Sequence, residues 1–246
     1  MEEIDFLNAI ILLANFVLIP AISYGSQLAI AALGITIVYA VLRFSNFAHG
    51  DLMAFGTMIA ILITWLLQSW GITGGVLPTA LIALPFAMAC TALFCLILDR
   101  VVYKFYREQK SQPVVFMIVS VGVMFIMNAI VRFIIGPKDR TFFDGEKFII
   151  KAVEFKEYTG LAEGLSIKST QVITIFIAII TMLILFYFLQ KTKMGKSMRA
   201  YSDNEDLALL SGINPDRVVM ITWLIVGMLA TICLLYTSDA ADELRS

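Results

Sequence analysis

The feature that most constrains this chain is a series of long apolar runs without charged side chains. Residues 172–189, for example, contain no Asp, Glu, Lys, Arg or His. Apolar and aromatic residues make up 60% of the 246 residues and charged residues only 15%, whereas soluble domains have roughly 45–50% and about 25%. The sequence therefore predicts a polytopic membrane protein with an all-α transmembrane helical bundle, and it excludes a soluble domain with a large core.

Six or seven segments are long enough to cross a bilayer core, which needs about 20 apolar residues per helix. They are Phe6–Ile22, Gln27–Leu42, Leu52–Trp70, Val76–Leu98, Val114–Ile135, Gln171–Leu189 and Val218–Leu235. The first segment is short, which is typical of a tilted or partly inserted helix. We expect residues 1–232 to form a single transmembrane domain.

Two loops rich in Lys and Arg predict the orientation of the bundle. They are Asp99–Gln112 and Gln190–Arg217, and two helices separate them, so both lie on the same side of the membrane. The positive-inside rule places that side in the cytoplasm. The loop Gly136–Thr170, with six basic and six acidic residues, must then be external. Counting back places Arg43–Asp51 in the cytoplasm and, with two helices before it, the N-terminus as well.

The C-terminal residues 233–246 differ in character from the rest of the chain. The apolar run ends after Ile232, and an acidic tail follows without flanking Lys or Arg. The stretch from Cys233 to Glu243 resembles the translation of a transposase-based sequencing adapter. We therefore expect residues 233–246 to be non-native and the natural protein to continue past Ile232.

Several classes of function are excluded by composition and by missing motifs. Eighteen Lys and Arg against 19 Asp and Glu leave a net charge of −1, so the chain has no basic field for nucleic acid. The sequence contains no Walker A loop, no H-E-x-x-H motif and a single histidine, so we expect no catalytic, cofactor-binding or metal-binding residue. The segment interiors also lack the carboxylates on which ion-coupled carriers depend.

The first informative motif is a polar interruption between two apolar runs. It consists of Asn46, Phe47, Ala48, His49, Gly50 and Asp51, hereafter the helix-break motif. Such interruptions occur where backbone lines a cavity, which would place these residues on a substrate path. The alternative is structural: His49 fixes the start of a helix and Asp51 interacts with the free N–H groups of its first turn. The structural role is favoured.

The second motif lies between the last two spans, on the basic side. We expect a short amphipathic helix capped by Ser202 or Asp203, with Glu205 and Asp206 in its first turn and Gly212 at its end. Leu207, Ala208 and Leu210 form a small apolar surface on that helix. The alternative is a connector that only lies on the membrane surface.

Both motifs resemble those of branched-chain amino acid ABC importer permeases of the LivH type. The first is Leu33-Gly-x-Thr-x-x-Tyr39 followed by Arg43-x-x-Asn-Phe-Ala-His-Gly-Asp51, where the family typically has Glu at the last position. The second contains Gly195, Met198, Arg199, Ala200, Glu205, Ala208, Gly212 and Ile213. In the family this stretch docks on the ATPase, so residues 191–217 are hereafter the coupling loop.

The resemblance implies a permease subunit that is not itself an enzyme and that needs no cofactor. Its implied partners are a second homologous permease, two cytoplasmic ATPase subunits, an extracytoplasmic solute-binding protein and the lipid bilayer of a bacterial or archaeal plasma membrane. The implied substrates are leucine, isoleucine and valine. Relatives that carry urea or short amides remain an alternative, and a secondary carrier or channel, or a membrane scaffold or enzyme, are alternatives from other classes.

Overall fold

A computed structural model describes residues 2–71, 79–136, 148–150, 164 and 166–234. The helices are α1 (Glu2–Leu13), α2 (Ile19–Leu42), α3 (His49–Ser69), α4 (Thr79–Leu98), α5 (Lys104–Glu108), α6 (Pro113–Ile135), α7 (Ser169–Lys191), α8 (Lys193–Asp203), α9 (Glu205–Leu210) and α10 (Pro215–Leu234). Two π-helical turns, Ala14–Leu18 and Asp99–Tyr103, join α1 to α2 and α4 to α5. The prediction of an all-α helical bundle is confirmed.

A small β-ribbon is one feature of the fold that the sequence did not predict. Strands β1 (Phe148–Ile150) and β2 (Ile167–Lys168) pair antiparallel, with an irregular register. The ribbon belongs to the loop between α6 and α7. The rest of that loop, apart from Gly136, Gly164, Ser166 and the two residues that begin α7, lies outside the described residues.

Six helices of the described part are long and apolar enough to cross a membrane. They are Asn8–Leu42, His49–Ser69, Thr79–Glu108, Pro113–Ile135, Ser169–Lys191 and Pro215–Cys233. The two expected segments Phe6–Ile22 and Gln27–Leu42 are therefore one helix. At 1.5 Å per residue the 35-residue span is about 52 Å long, which exceeds the bilayer core of about 30 Å.

The joining of these two segments corrects the expected side of the N-terminus. Asn15 donates a hydrogen bond to the Gly164 carbonyl over 2.7 Å and accepts one from the Ser166 N–H over 3.1 Å. This part of the helix therefore lies beside the loop between α6 and α7. The other end of the same helix, at Arg43, lies beside the coupling loop. One crossing instead of two places the N-terminus at the end opposite Arg43.

Helix α10 is the central helix of the bundle and packs against α2, α3 and α4. Its Trp223 and Val226 side chains are completely buried. Close contact depends on small residues: a Cβ at Gly227 would lie 2.8 Å from the Ala92 Cα atom. A Cβ at Gly56 would lie 2.8 Å from Thr231 Oγ1. Such small-residue contacts are the usual means by which membrane helices approach each other.

The expected non-native tail lies almost entirely outside the described residues. Cys233 and Leu234 still belong to α10, and residues 235–246 are beyond the described part of the chain.

The outer faces of the bundle expose large apolar side chains, as the lipid-facing surface of a membrane protein does. On α6 these include Ile118, Phe125 and Phe133.

Candidate functional site

The helix-break motif begins where α2 ends. Arg43 has a positive φ of 59° and terminates α2, while its N–H donates to the Tyr39 carbonyl over 3.1 Å. Asn46 then organises the turn into α3. Its Oδ1 atom accepts hydrogen bonds from the Ala48 N–H over 3.1 Å and from the Tyr103 hydroxyl over 3.3 Å. The turn is therefore held both locally and from the π-helical turn after α4.

His49 is the first residue of α3 and is 2% exposed. Its ring packs against α2 at Gly34, where a Cβ would lie 2.7 Å from both Cε1 and Nε2. The contact at this point is therefore one of close packing, which supports the structural interpretation of His49.

The other residues of the motif point in different directions. Ala48 is buried, whereas Phe47 is 53% exposed and Gly50 is exposed. The Phe47 N–H donates to Ser120 Oγ over 3.1 Å, and Asn128 Nδ2 donates to Asp51 Oδ1 over 3.0 Å. Asp51 lies in the first turn of α3, as expected. Both bonds attach the motif to α6.

An aromatic cluster that the sequence analysis missed lies next to the motif. Tyr103 stacks on Trp223 with ring centroids 5.0 Å apart and packs in a tilted arrangement against Phe44 at 5.4 Å, and Phe44 stacks on Phe116 at 5.2 Å. These rings come from four separate segments, so no local pattern could have revealed the cluster. The cluster joins the helix-break motif to α10, and through α10 to the coupling loop.

A nearly buried ion pair lies beside this cluster. Both guanidinium nitrogens of Arg107 donate to the Asp99 carboxylate, over 2.9 and 3.2 Å. The side chains are 25% and 12% exposed, respectively. Because a bidentate pair fixes the direction of both groups, it ties α5 to the π-helical turn that follows α4.

The coupling loop starts with a close turn from α7 into α8. Thr192 caps α8: its Oγ1 accepts a hydrogen bond from the Gly195 N–H over 3.0 Å and donates to the Phe188 carbonyl over 2.6 Å. Gly195 packs directly on the end of α7, since a Cβ there would lie 2.6 Å from the Leu189 Cα atom. Only glycine fits this position without moving backbone.

The coupling loop contains two helices, where the sequence analysis predicted one. Asn204 has an extended backbone between α8 and α9, and its Oδ1 accepts a hydrogen bond from the Leu207 N–H over 3.1 Å. Asn204 is thus the cap of α9, and the expectation of Ser202 or Asp203 was wrong. Glu205 and Asp206 occupy the first turn, as predicted.

Tyr201 bridges the break between α8 and α9. Its hydroxyl donates to Glu205 Oε1 over 2.7 Å, and its ring is buried. Burial and this hydrogen bond raise the pKa of Tyr201 above its usual range. The hydroxyl therefore stays protonated and donates at neutral pH, which holds α9 at a fixed angle to α8.

The apolar residues of α9 divide between two faces. Ala208 is 3% exposed and packs on the chain itself, whereas Leu207 and Leu210 are 62% and 85% exposed. The small apolar surface expected of these three residues is therefore divided: Ala208 faces the rest of the chain, and the two leucines face outward. Gly212, with φ of 80°, ends the helix as predicted, and the Ile213 N–H returns to the Ala208 carbonyl over 3.0 Å.

The remaining residues of the second motif also divide by burial. Gly195 and Met198 are buried, Ile213 is half-buried, and Arg199 and Ala200 are exposed. Ser202, which the resemblance did not single out, joins α8 to the end of α2: its Oγ donates to the Ala40 carbonyl over 2.8 Å. Its carbonyl accepts a hydrogen bond from the Arg43 guanidinium. The helix-break motif and the coupling loop thus lie at the same end of the bundle.

The part of the chain that the structure describes has six helices long and apolar enough to cross a membrane and a folded helical loop at one end, as expected of a multi-pass membrane protein. A family model described as branched-chain amino acid transport system / permease component matches residues 17–237. The chain belongs to this family. The resemblance inferred from the two motifs is confirmed.

Individual relatives agree with the family. The chain is 27% identical over 216 residues to the high-affinity branched-chain amino acid transport system permease protein LivH of Escherichia coli (strain K12), covering 86% of this chain and 66% of the relative. It is 26% identical over 218 residues to BraD of Pseudomonas aeruginosa, also a high-affinity branched-chain amino acid transport system permease protein, covering 87% and 67%.

An archaeal relative is similar as well. The probable branched-chain amino acid transport permease protein LivH of Methanocaldococcus jannaschii is 24% identical over 222 residues, covering 88% of this chain and 64% of the relative. The chain thus spans about two thirds of the length of the curated relatives it matches. No solved structure gives a significant match.

Proposed function

We propose that this chain is the permease subunit of an ATP-driven importer that carries leucine, isoleucine and valine across a bacterial or archaeal plasma membrane. The family and the names of its relatives support this substrate class. The complex contains a second homologous permease, two cytoplasmic ATPase subunits and an extracytoplasmic solute-binding protein. ATP is hydrolysed by the ATPase subunits, and this chain supplies part of the translocation path.

The observation that carries the proposal is the outward apolar surface of α9. Leu207 and Leu210 project from a helix whose start is capped by Asn204 and whose end is fixed at Gly212. Exposed leucines on a well-held cytoplasmic helix are suited to an apolar groove on a partner, because burying each contributes about 1.5–3 kcal/mol. In this proposal the groove that receives the two leucines belongs to the ATPase. The loop that carries them is shaped by Gly195, Met198, Arg199, Ala200, Glu205, Ala208, Gly212 and Ile213.

The proposal implies different roles for the buried and exposed residues of α9. Leu207→Ser and Leu210→Ser should each reduce the amount of ATPase that co-purifies by about tenfold, with little change in the thermal stability of the permease. Ala208→Glu should instead lower the stability of the permease itself, since it places a charge in a buried position. Ser211→Ala, an exposed change on the same loop, serves as the matched control.

The decisive experiment reconstitutes the permease in proteoliposomes with an ATPase pair, a second permease and a binding protein of the same importer family. ATP-dependent uptake of labelled leucine, competed by isoleucine and valine, is the expected result. Competition by urea or acetamide alone would support the alternative substrates. Leucine uptake driven by a proton or sodium gradient without ATP would identify a secondary carrier and overturn the proposal.

A further inference from the structure

Ser202 uses both its side chain and its backbone to join α8 to the end of α2. The Ser202 hydroxyl donates to the Ala40 carbonyl over 2.8 Å, and the Ser202 carbonyl accepts from the Arg43 guanidinium. Ala40 lies in the last turn of α2, where carbonyls lack an intrahelical partner. The coupling loop therefore supplies a hydrogen bond that the end of this membrane-spanning helix lacks.

The residues on either side of Ser202 make this attachment stiff on the coupling-loop side. Tyr201 donates to Glu205 across the break between α8 and α9, and Asn204 caps α9. A side-chain hydrogen bond next to Ser202 therefore spans the break between α8 and α9.

The end of α2 is connected in turn to the helix-break motif and to α3. Arg43 sits in the left-handed conformation that ends α2, at the entry to the helix-break motif. About two and a half turns earlier, α2 contacts α3 through Gly34 and His49. Because this contact is closely packed, a movement of the end of α2 would also displace α3.

We propose that Ser202 and Arg43 are positioning residues that transmit movement of the coupling loop to α2. The inference rests on the proposed function, because the movement originates in the ATPase bound at α9. It assigns the transmission to one pair of hydrogen bonds at the Ser202 position, separate from the apolar surface that binds the ATPase.

Three variants and one control isolate the link. Ser202→Ala removes the hydroxyl, Ser202→Thr restores it, and Arg43→Asn removes the guanidinium while keeping a residue that tolerates positive φ. The control is Ser197→Ala on the same helix, whose hydroxyl donates only to the Lys193 carbonyl of its own helix.

The first measurement is amide hydrogen exchange of residues 193–214 in the full chain held in nanodiscs. Loss of one hydrogen bond corresponds to about a fivefold change in an opening equilibrium. We expect about fivefold faster exchange in Ser202→Ala and Arg43→Asn, and wild-type exchange in Ser202→Thr and Ser197→Ala. Unchanged exchange in both Ser202→Ala and Arg43→Asn would show that the link does not hold the loop and would overturn the proposal.

The second measurement is made on the assembled complex in proteoliposomes. Ser202→Ala and Arg43→Asn should retain the ATPase and its ATP hydrolysis, while leucine uptake per ATP hydrolysed falls severalfold. Uptake per ATP equal to wild type, despite faster exchange, would overturn transmission through this link. Failure of the wild-type chain to bind any ATPase would instead contradict the proposed function, and the exchange result would still decide whether the link exists.

Discussion

The imidazole of His49 closes directly over Gly34, and a single added carbon on α2 would lie 2.7 Å from two of its ring atoms. Both residues belong to the motif that resembles the permease family. Their contact gives a physical reason for a glycine and a histidine at these two positions: the histidine supplies a flat, buried surface at the start of α3, and the glycine lets that surface reach the backbone of α2. The polar break at 46–51 is thus also a packing joint.

This contact predicts the effect of filling the glycine position. Gly34→Ala should destabilise the permease by about 1–3 kcal/mol, since overpacking displaces the buried ring. Gly25→Ala, on the same helix with no atom within 4 Å of the added carbon, should be neutral or stabilising by about 0.5–1 kcal/mol. Thermal unfolding in detergent, followed by fluorescence, measures both. Equal behaviour of the two variants would contradict the contact.

The same contact predicts a structural role for His49. His49→Ala should lower the amount of assembled complex more than it changes the apparent substrate affinity of each assembled complex. The double variant of Gly34→Ala and His49→Ala should recover part of the stability that Gly34→Ala alone removes, because the imidazole that clashes with the alanine side chain is then absent. Normal assembly with altered substrate selectivity would place His49 on the substrate path.

The membrane spans could be predicted from the sequence because apolar length is a property of each segment alone. The exception is instructive. Ser23, Tyr24, Gly25 and Ser26 interrupt the first apolar stretch and suggest a loop, but they continue the helix. Ser26 donates its hydroxyl to the Ser23 carbonyl over 2.7 Å, so a short polar stretch satisfies itself within a helix.

The geometry of the site depended on contacts that the sequence does not display. A helix as short as Glu205–Leu210 has too few residues for a periodic pattern, so the inward direction of Ala208 could not be read from it. Tyr103 and Trp223 are 120 positions apart and meet only in the folded bundle. Gly212, in contrast, was predictable, because the requirement for positive φ at a helix end is local.

The Asp99–Arg107 ion pair should contribute more to the stability of the permease than the neighbouring Lys104–Glu108 pair. Arg107→Ala should cost about 3 kcal/mol because it leaves a nearly buried carboxylate without its partner, and Arg107→Lys should restore only part of that loss. Lys104→Ala breaks the exposed pair with Glu108, in which the nitrogen and oxygen are 3.7 Å apart, and should cost less than about 0.5 kcal/mol. Thermal unfolding of the three variants provides the comparison, and similar losses in Arg107→Ala and Lys104→Ala would contradict it.

The topology can be tested by labelling with an impermeant thiol reagent in whole cells. In a background without Cys90, Cys95 and Cys233, cysteines at Gln109 and Ser211 should be protected, because both lie on basic loops predicted to be cytoplasmic. A cysteine at Glu2 should be labelled, since a single helix connects the N-terminus to Arg43. Cysteines between Lys147 and Glu163 should be labelled because they lie in the loop predicted to be external. Protection of Glu2 together with labelling at Ser211 would reverse the orientation.

The turn at Gly195 provides a test of how firmly the coupling loop is attached to the bundle. A side-chain carbon at this position would lie 2.6 Å from the Leu189 Cα atom and would also contact the carbonyls of Phe188 and Leu189. These are backbone atoms of a membrane-spanning helix, so α8 must move away from α7 to make room. Gly195→Ala should therefore lower the melting temperature of the permease and reduce leucine uptake severalfold. We expect this even though alanine has a higher helix propensity than glycine. Gly122→Ala, whose added carbon meets no atom within 4 Å, is the matched control and should leave uptake unchanged. If Gly195→Ala retained wild-type stability and uptake, the close approach of α8 to the end of α7 would be contradicted, and the coupling loop would have to be attached to the bundle chiefly through Ser202.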